Sequence, residues 1–304
     1  MAGYASTSAA PFRGRAWTRD RVRREVWRVI AFAVLVLGAI VISIPFLWML
    51  STALKDLSEI YRIPPVLLPR ELHVEHFWQA MSVPGTPFTL YVANTLRVAA
   101  LSMLGTLASN TVVAFAFSRL RWWGRDVWFA VMLSTMFLPA QVTIIPIYIL
   151  FNNLGWIDTW NPLVVPHFFG AAGVVFLIRQ FMMTIPLDMD DAARIDGCNT
   201  FQLFFNIIVP MSKAVIATVA IFSFQGTWND YFGPLIYLST REKWTVALAL
   251  SQFAPGLAGV GAGWRTQEEL LMAAAFVLSL PLIVIFLFGQ RLFIQGIVIS
   301  GVKG

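Results

Sequence analysis

From Val29 to Leu54 the chain carries no charged side chain. About 20 residues suffice for a helix to cross a bilayer, whereas the apolar core of a signal peptide is only about 7–15 residues long. The stretch therefore predicts an uncleaved first membrane helix over about 29–52, with Pro45 placed to kink it. Five further apolar stretches follow, over about 88–118, 127–150, 162–182, 214–238 and 270–289. In hydrocarbon every backbone N–H and C=O needs an internal partner, and separate spans meet that need only as helices. The expected fold is all-α, with six transmembrane helices. Composition agrees: 58% of residues are hydrophobic and 12% charged, about half the charge of a soluble domain.

Between the spans, polarity and proline mark the connections. Residues 1–28 form a basic N-terminal arm with Arg13, Arg15, Arg19, Arg21, Arg23, Arg24 and Arg28. Residues 29–87 hold the first span and a proline-rich external loop. Residues 88–292 form the core, and 293–304 a short tail. Pro139 and Pro146 interrupt the third span.

Six spans put both ends of the chain on one side, together with Arg119, Arg121, Arg125, Arg179, Arg194, Lys213, Arg291 and Lys303. Lys55, Arg62, Arg70, Arg241, Lys243 and Arg265 fall on the other. Fifteen basic residues against six assign the termini to the cytoplasm, since cytoplasmic loops carry the excess of Lys and Arg. The formal charge of +6 thus follows topology and gives no reason to expect nucleic acid.

Enzymatic chemistry finds little support. No GxSxG, HExxH or GxxxxGK[ST] segment occurs, so no hydrolase centre or nucleotide site is recognisable. A single cysteine, Cys198, rules out an internal disulfide and a cysteine-built metal site. His73 and His76 fall in a loop, and no metal site is expected. Asp230 is the one carboxylate in or near a span, so it lacks the second acid of an aspartyl dyad.

Polar residues inside spans are costly and usually face a bundle interior or wet cavity. Trp228, Asn229 and Asp230 offer an apolar ring and hydrogen-bonding groups suited to a hydroxyl-rich solute. Gly226, Gly233 and Pro234 also fit a plain helix break there. His167 reads equally as a structural histidine or a solute ligand, and Arg97 as a snorkelling or an internally paired residue.

The polar stretch 186–211 looks built. Asp188 is placed to cap a helix whose first turn holds Asp190 and Asp191, acids suited to the positive end of its dipole. Gly197 permits a left-handed exit. Asn199 and Gln202 restart a helix whose Phe201, Phe204, Phe205 and Ile208 are expected to share one face, and Pro210 stops it. Periodicity alone leaves two alternatives open, an amphipathic helix on the inner leaflet or a grip for a soluble partner.

Asp191-Ala192-Ala193, three residues, Gly197, nine residues, Ile207, one residue, then Val209-Pro210 resembles the EAA signature of ABC importer membrane subunits. That family reads Glu-Ala-Ala-x3-Gly-x9-Ile-x-Leu-Pro, so Asp191 and Val209 depart from it conservatively. Asn94-Thr95-Leu96, Ile185-Pro186, Trp228-Asn229 and the final Gly301-Val302-Lys303-Gly304 are similar to the maltose-type carbohydrate branch, specifically its smaller six-span permease.

The resemblance implies a type I (MetI-like) importer fold in the prokaryotic inner membrane, paired with a second homologous permease. A cytoplasmic ATPase dimer would carry ATP and Mg, this chain having no cofactor of its own, and an extracellular or periplasmic solute-binding protein would deliver a carbohydrate or related polyol. On this resemblance Asp190, Asp191, Ala192, Ala193, Asp196, Gly197, Ile207 and Pro210 would couple to the ATPase, and Gly301 and Lys303 would add a tail contact. Asn94, His167, Trp228, Asn229 and Asp230 would line the path. The alternative class is an ion- or proton-coupled carrier, which would have to work with Asp230, Arg97 and His167.

Overall fold

A computed structural model describes residues 19–82, 88–251 and 268–301, and the regular structure among them is helical. Helix α1 covers Arg19–Ala53. It starts inside the basic arm, of which Arg13 and Arg15 lie outside the described residues, and it runs through Pro45 without ending. Helix α2 covers Phe88–Arg119. The third apolar stretch is divided into α3 (Arg125–Ser134) and α4 (Ala140–Asn153). Pro139, extended in backbone, separates them, whereas Pro146 is accommodated within α4.

The fourth stretch begins with a short helix, Asn161–Val164, and a 3-10 turn, Val165–Phe168, before α5 (Ala172–Met182). Helix α6 (Asp188–Ile195) is the elbow helix, and α7 (Lys213–Trp228) follows it. After a break at residues 229–231 a further turn of helix covers Phe232–Tyr237. Helix α8 covers Glu268–Gly301. Val22–Ala53, Phe88–Arg119, Asn161–Met182 and Glu268–Gln290 have the length and hydropathy to cross a membrane unaided. Two bent helix pairs raise the number to six if each counts as one span.

Helix α2 is the central post, packed by α5, α7 and the Val165–Phe168 turn, while α8 packs between α7 and α1. Its buried face is small and polar, with Asn94, Thr95, Ala99, Ser102, Thr106, Asn110 and Ala114. Small side chains let membrane helices approach closely, where lipid offers no hydrophobic incentive for them to pair. The polar side chains have a second use, because each broken helix nearby exposes backbone groups that need partners at membrane depth. Ser102 donates to the Leu163 carbonyl at 3.0 Å, and Asn110 Oδ1 accepts from the Ala171 N–H at 2.7 Å. Thr95 Oγ1 accepts from Val246 N–H at 2.8 Å. Asn94 Nδ2 donates to the Glu242 and Trp244 carbonyls at 2.8 and 3.0 Å.

At the far end of the post from the elbow, Asp158 latches two loops together. It stands at φ 57°, a left-handed backbone that Asp tolerates better than most residues. Its carboxylate accepts from Ser239 N–H, Thr240 N–H, Thr240 Oγ1 and Lys243 Nζ. Further along the same end, His73 Nδ1 pairs with Glu75 at 2.8 Å and His76 Nδ1 with the Ala53 carbonyl at 3.0 Å, bracing the segment that follows α1 against the end of that helix.

Candidate functional site

The elbow is built from local signals. Asp188, Asp190 and Asp191 occupy the first turn of α6, where their charge suits the exposed N–H groups. The expected side-chain cap is absent: Leu187 holds the cap position, and Asp188 is already the first helical residue. At the other end Gly197 has φ +83°. Its N–H bonds to the Arg194 carbonyl at 3.0 Å and the next N–H, of Cys198, to Ala193 at 2.9 Å. That pair of bonds is a Schellman exit, which needs a residue free to go left-handed. Two residues later Asn199 and Gln202 close a reciprocal capping box, as their spacing predicts.

The restarted helix departs from the expected face. Leu203–Ile208 is wound as a π-helix, and Leu203, Phe204 and Ile208 are buried together while Phe201 and Phe205 are 75% and 59% exposed. An i→i+5 turn aligns residues five apart, so the 3.6-residue count fails. Pro210 offers no N–H to the preceding turn and crowds its carbonyl, which favours the wider winding. Nor does Pro210 stop the helix. The direction changes by 74° between Thr200–Met211 and α7, after Ser212.

Burial sorts the elbow's residues into two faces. Asp190 and Ala193 point into the protein, whereas Asp191, Ala192, Asp196 and Gly197 are exposed. Ile195, at 87% exposure, stands beside them with Leu187 and Phe201. Ile207 is half-buried and Pro210 exposed. The inward Asp190 meets Arg119, the last residue of α2, with Nη1 to Oδ1 at 3.2 Å and side chains 1% and 6% exposed. Arg119 Nη2 donates to the Met182 and Ile185 carbonyls at 2.6 and 2.9 Å. Burial pushes the Asp190 carboxyl above its ordinary range, opposed by the Arg119 charge. Sequence reasoning places Arg119 only among the basic residues on the side of the termini.

A second site lies within the membrane region. A cavity of about 540 Å³ is lined by Thr106, His167, Ser223, Thr227 and Asp230 among apolar residues that include Leu177, Val219 and Phe222. His167 Nδ1 is 3.2 Å from Thr106 Oγ1. Asp230 Oδ1 accepts the Gly233 N–H at 3.0 Å, which caps the restart of the broken helix. A β-carbon at Gly233 would sit 2.6 Å from an Asp230 carboxylate oxygen, so a side chain there would push that carboxylate out of its present place. Both alternatives for Asp230 therefore hold: it serves a helix break, and it lines a cavity.

Residues 105–299 match the family model described as "Binding-protein-dependent transport system inner membrane component". The chain belongs to that family. It is 30% identical over 90% of its length to a putative ABC transporter permease from Caldicellulosiruptor sp. (strain Rt8B.4), 96% of which is covered. It is 29% identical over 88% of its length to the sn-glycerol-3-phosphate transport system permease protein UgpE of Yersinia pestis, 94% covered. A bacterial ABC transporter involved in importing the acidic polysaccharide alginate has a chain of the same fold, with TM-score 0.76 at 21% identity over 93% of this chain and 99% of that one. Permeases of this family are translocation components embedded in the membrane, not enzymes.

Within the permease, several residues expected at functional surfaces are committed elsewhere. Asp190 faces the body of the protein and is not open to a docking partner, because its carboxylate is drawn to Arg119. Asn94 is 1% exposed, with its amide on two backbone carbonyls of the segment before Val246. Trp228 is 3% exposed, donates from Nε1 to the Leu278 carbonyl at 3.0 Å and stacks on Phe224. Asn229 is exposed and does not line the cavity. Of the five expected path residues, His167 and Asp230 meet in one cavity. Gly301 is the last residue of α8, and Lys303 lies outside the described residues.

Proposed function

We propose that this permease imports a carbohydrate or related polyol, with both termini and the elbow in the cytoplasm. It forms the path with a second homologous permease and docks through the elbow on an ATPase dimer that holds ATP and Mg. A solute-binding protein delivers the solute from outside. The observation that carries the reading is the elbow's exposed face, where Asp191 and Asp196 flank the protruding Ile195. An apolar knob between carboxylates suits a cleft with a greasy floor and basic walls. Ala192 and Gly197 keep side-chain bulk off that face and allow close approach.

The fifteen-to-six distribution of basic residues supports the cytoplasmic side. Carbohydrate is supported by the relatives named for glycerol phosphate and alginate transport. In this reading His167 and Asp230 line the passage, where an imidazole and a carboxylate can exchange hydrogen bonds with solute hydroxyls.

Purification of the tagged chain after co-expression with its genomic neighbours tests the reading. A second permease and an ATPase should co-purify, and Asp191→Lys or Gly197→Trp should release the ATPase while the chain still inserts. Normal ATPase capture and uptake in both variants would overturn it.

A further inference from the structure

An element that receives force from a partner transmits it only if it is stiffly joined to what must move. Helix α6 has eight residues, too few to hold its shape unaided. Much of its downstream anchorage is apolar: Ala193 shares a core cluster with Leu203, Phe204 and Ile208. Upstream the attachment is ionic. Arg119 ends α2, and its guanidinium reaches three places at once, the Met182 carbonyl at the end of α5, the Ile185 carbonyl in the link to the elbow, and the Asp190 carboxylate in the elbow's first turn.

A matching brace runs in the opposite direction. Arg179 of α5 donates from Nε to the Phe117 carbonyl of α2 at 3.1 Å and lies 4.0 Å over the Phe129 ring of α3. Each of the two helices thus lends an arginine to the other's C-terminal carbonyls, where positive charge is favoured by the helix dipole. α2 and α5 are clamped together at their C-terminal ends, and Asp190 fastens the elbow to the clamp.

We propose that Arg119 and Asp190 are positioning residues that form a buried joint, making the elbow helix travel as one body with α2 and α5 when the ATPase moves it. The proposal rests on the elbow being the ATPase dock. Its physical basis is that moving the elbow alone would separate a carboxylate from a guanidinium in a site closed to water, the costliest way to lose an ion pair. The joint also has some play. Arg119 Nε and Nη1 and Asp190 Oδ1 are buried without an aligned hydrogen bond. A small rotation of the carboxylate toward a two-pronged arrangement would tighten the pair without breaking it.

The test uses the whole complex, reconstituted in lipid nanodiscs, with spin labels at Arg194→Cys on the elbow and Val112→Cys on α2 in a Cys198→Ser background. Distances are measured without nucleotide and after trapping with ATP and vanadate. With the joint intact, one narrow distribution is expected, unchanged between the states. Asp190→Asn should retain the ATPase but at least double the width in the trapped state. The apolar pair Arg119→Met with Asp190→Leu removes both buried charges, guarding against a folding failure. It should assemble at normal yield and still broaden on trapping, separating transmission from stability.

A distance that shifts between states in the parent complex would overturn the proposal. So would a narrow trapped-state distribution in either variant. Failure of the unsubstituted chain to capture the ATPase would instead sink the docking assignment, and that outcome is visible at purification.

Discussion

Two aspartates hold the two ends of this permease together by opposite means. Asp158, at the far end, is surrounded by donors: two backbone N–H groups, a hydroxyl and an ammonium share its two oxygens. Its side chain is 28% exposed. Asp190, at the elbow, is 6% exposed and faces one guanidinium without an aligned hydrogen bond. A saturated carboxylate at a wet surface makes a static latch, because every alternative arrangement loses a bond. An unsaturated one in a dry site makes a joint, with a strong attraction and no single enforced geometry. The latch secures loops, whereas the joint lies behind the surface proposed to receive force.

The comparison breaks most visibly on removing the cation at each end. Arg119→Ala should cost about 3–5 kcal/mol, because it strands the buried Asp190 carboxylate. Lys243→Ala should cost less, on the order of 1 kcal/mol, since Asp158 keeps its other donors and some water. Thermal unfolding of both variants in the same detergent measures the order. An equal loss at the two ends would erase the distinction between joint and latch. A next, smaller effect tests the elbow's exit. Gly197→Ala places a β-carbon at φ +83° and should destabilise by about 1–2 kcal/mol, read in the same melts.

What sequence could and could not show follows the same division between local and distant contacts. Gly197 and the Asn199–Gln202 box were legible because their partners lie within five residues. The shared face of Phe201 and Phe205 was not, since a π-turn inserts a residue that no helical count anticipates. Pro45, Pro146 and Pro281 sit inside helices, while Pro139 breaks one, and the residues around each proline do not tell these cases apart. Asn94 was expected on the path from the family resemblance, and Trp228 also from its place in the polar part of an apolar stretch. Their polarity is spent on backbone carbonyls 148, 150 and 50 residues away, contacts that only the fold creates. The inward turn of Asp190 was hidden for the same reason, its partner being at the end of another span.

Acidification should separate the two aspartates by sign, with the smallest effect of the set. Hydrogen bonds, first from Lys243 and then from Thr240, hold the Asp158 carboxyl well below its ordinary 3.8. A carboxyl depressed in the folded state contributes stability that is fully present above its unfolded pKa and lost only as the pH falls toward its folded one. Asp190 is shifted the other way, upward by burial with Arg119 opposing. Folding then favours its protonated form, so the penalty of the buried charge is relieved as pH falls through the raised value. Between about pH 7 and about pH 5, the melting difference between the parent and Asp158→Asn should stay constant, because both folded and unfolded carboxyls remain ionised across that window. The difference for Asp190→Asn should begin to drift at a higher pH than that for Asp158→Asn, because the Asp190 carboxyl is raised by burial and the Asp158 carboxyl depressed. Parallel melts of the three proteins across that range decide it. A gap that closes for Asp158→Asn while holding steady for Asp190→Asn would exchange the two roles, making the far end the responsive junction and the elbow the fixed one.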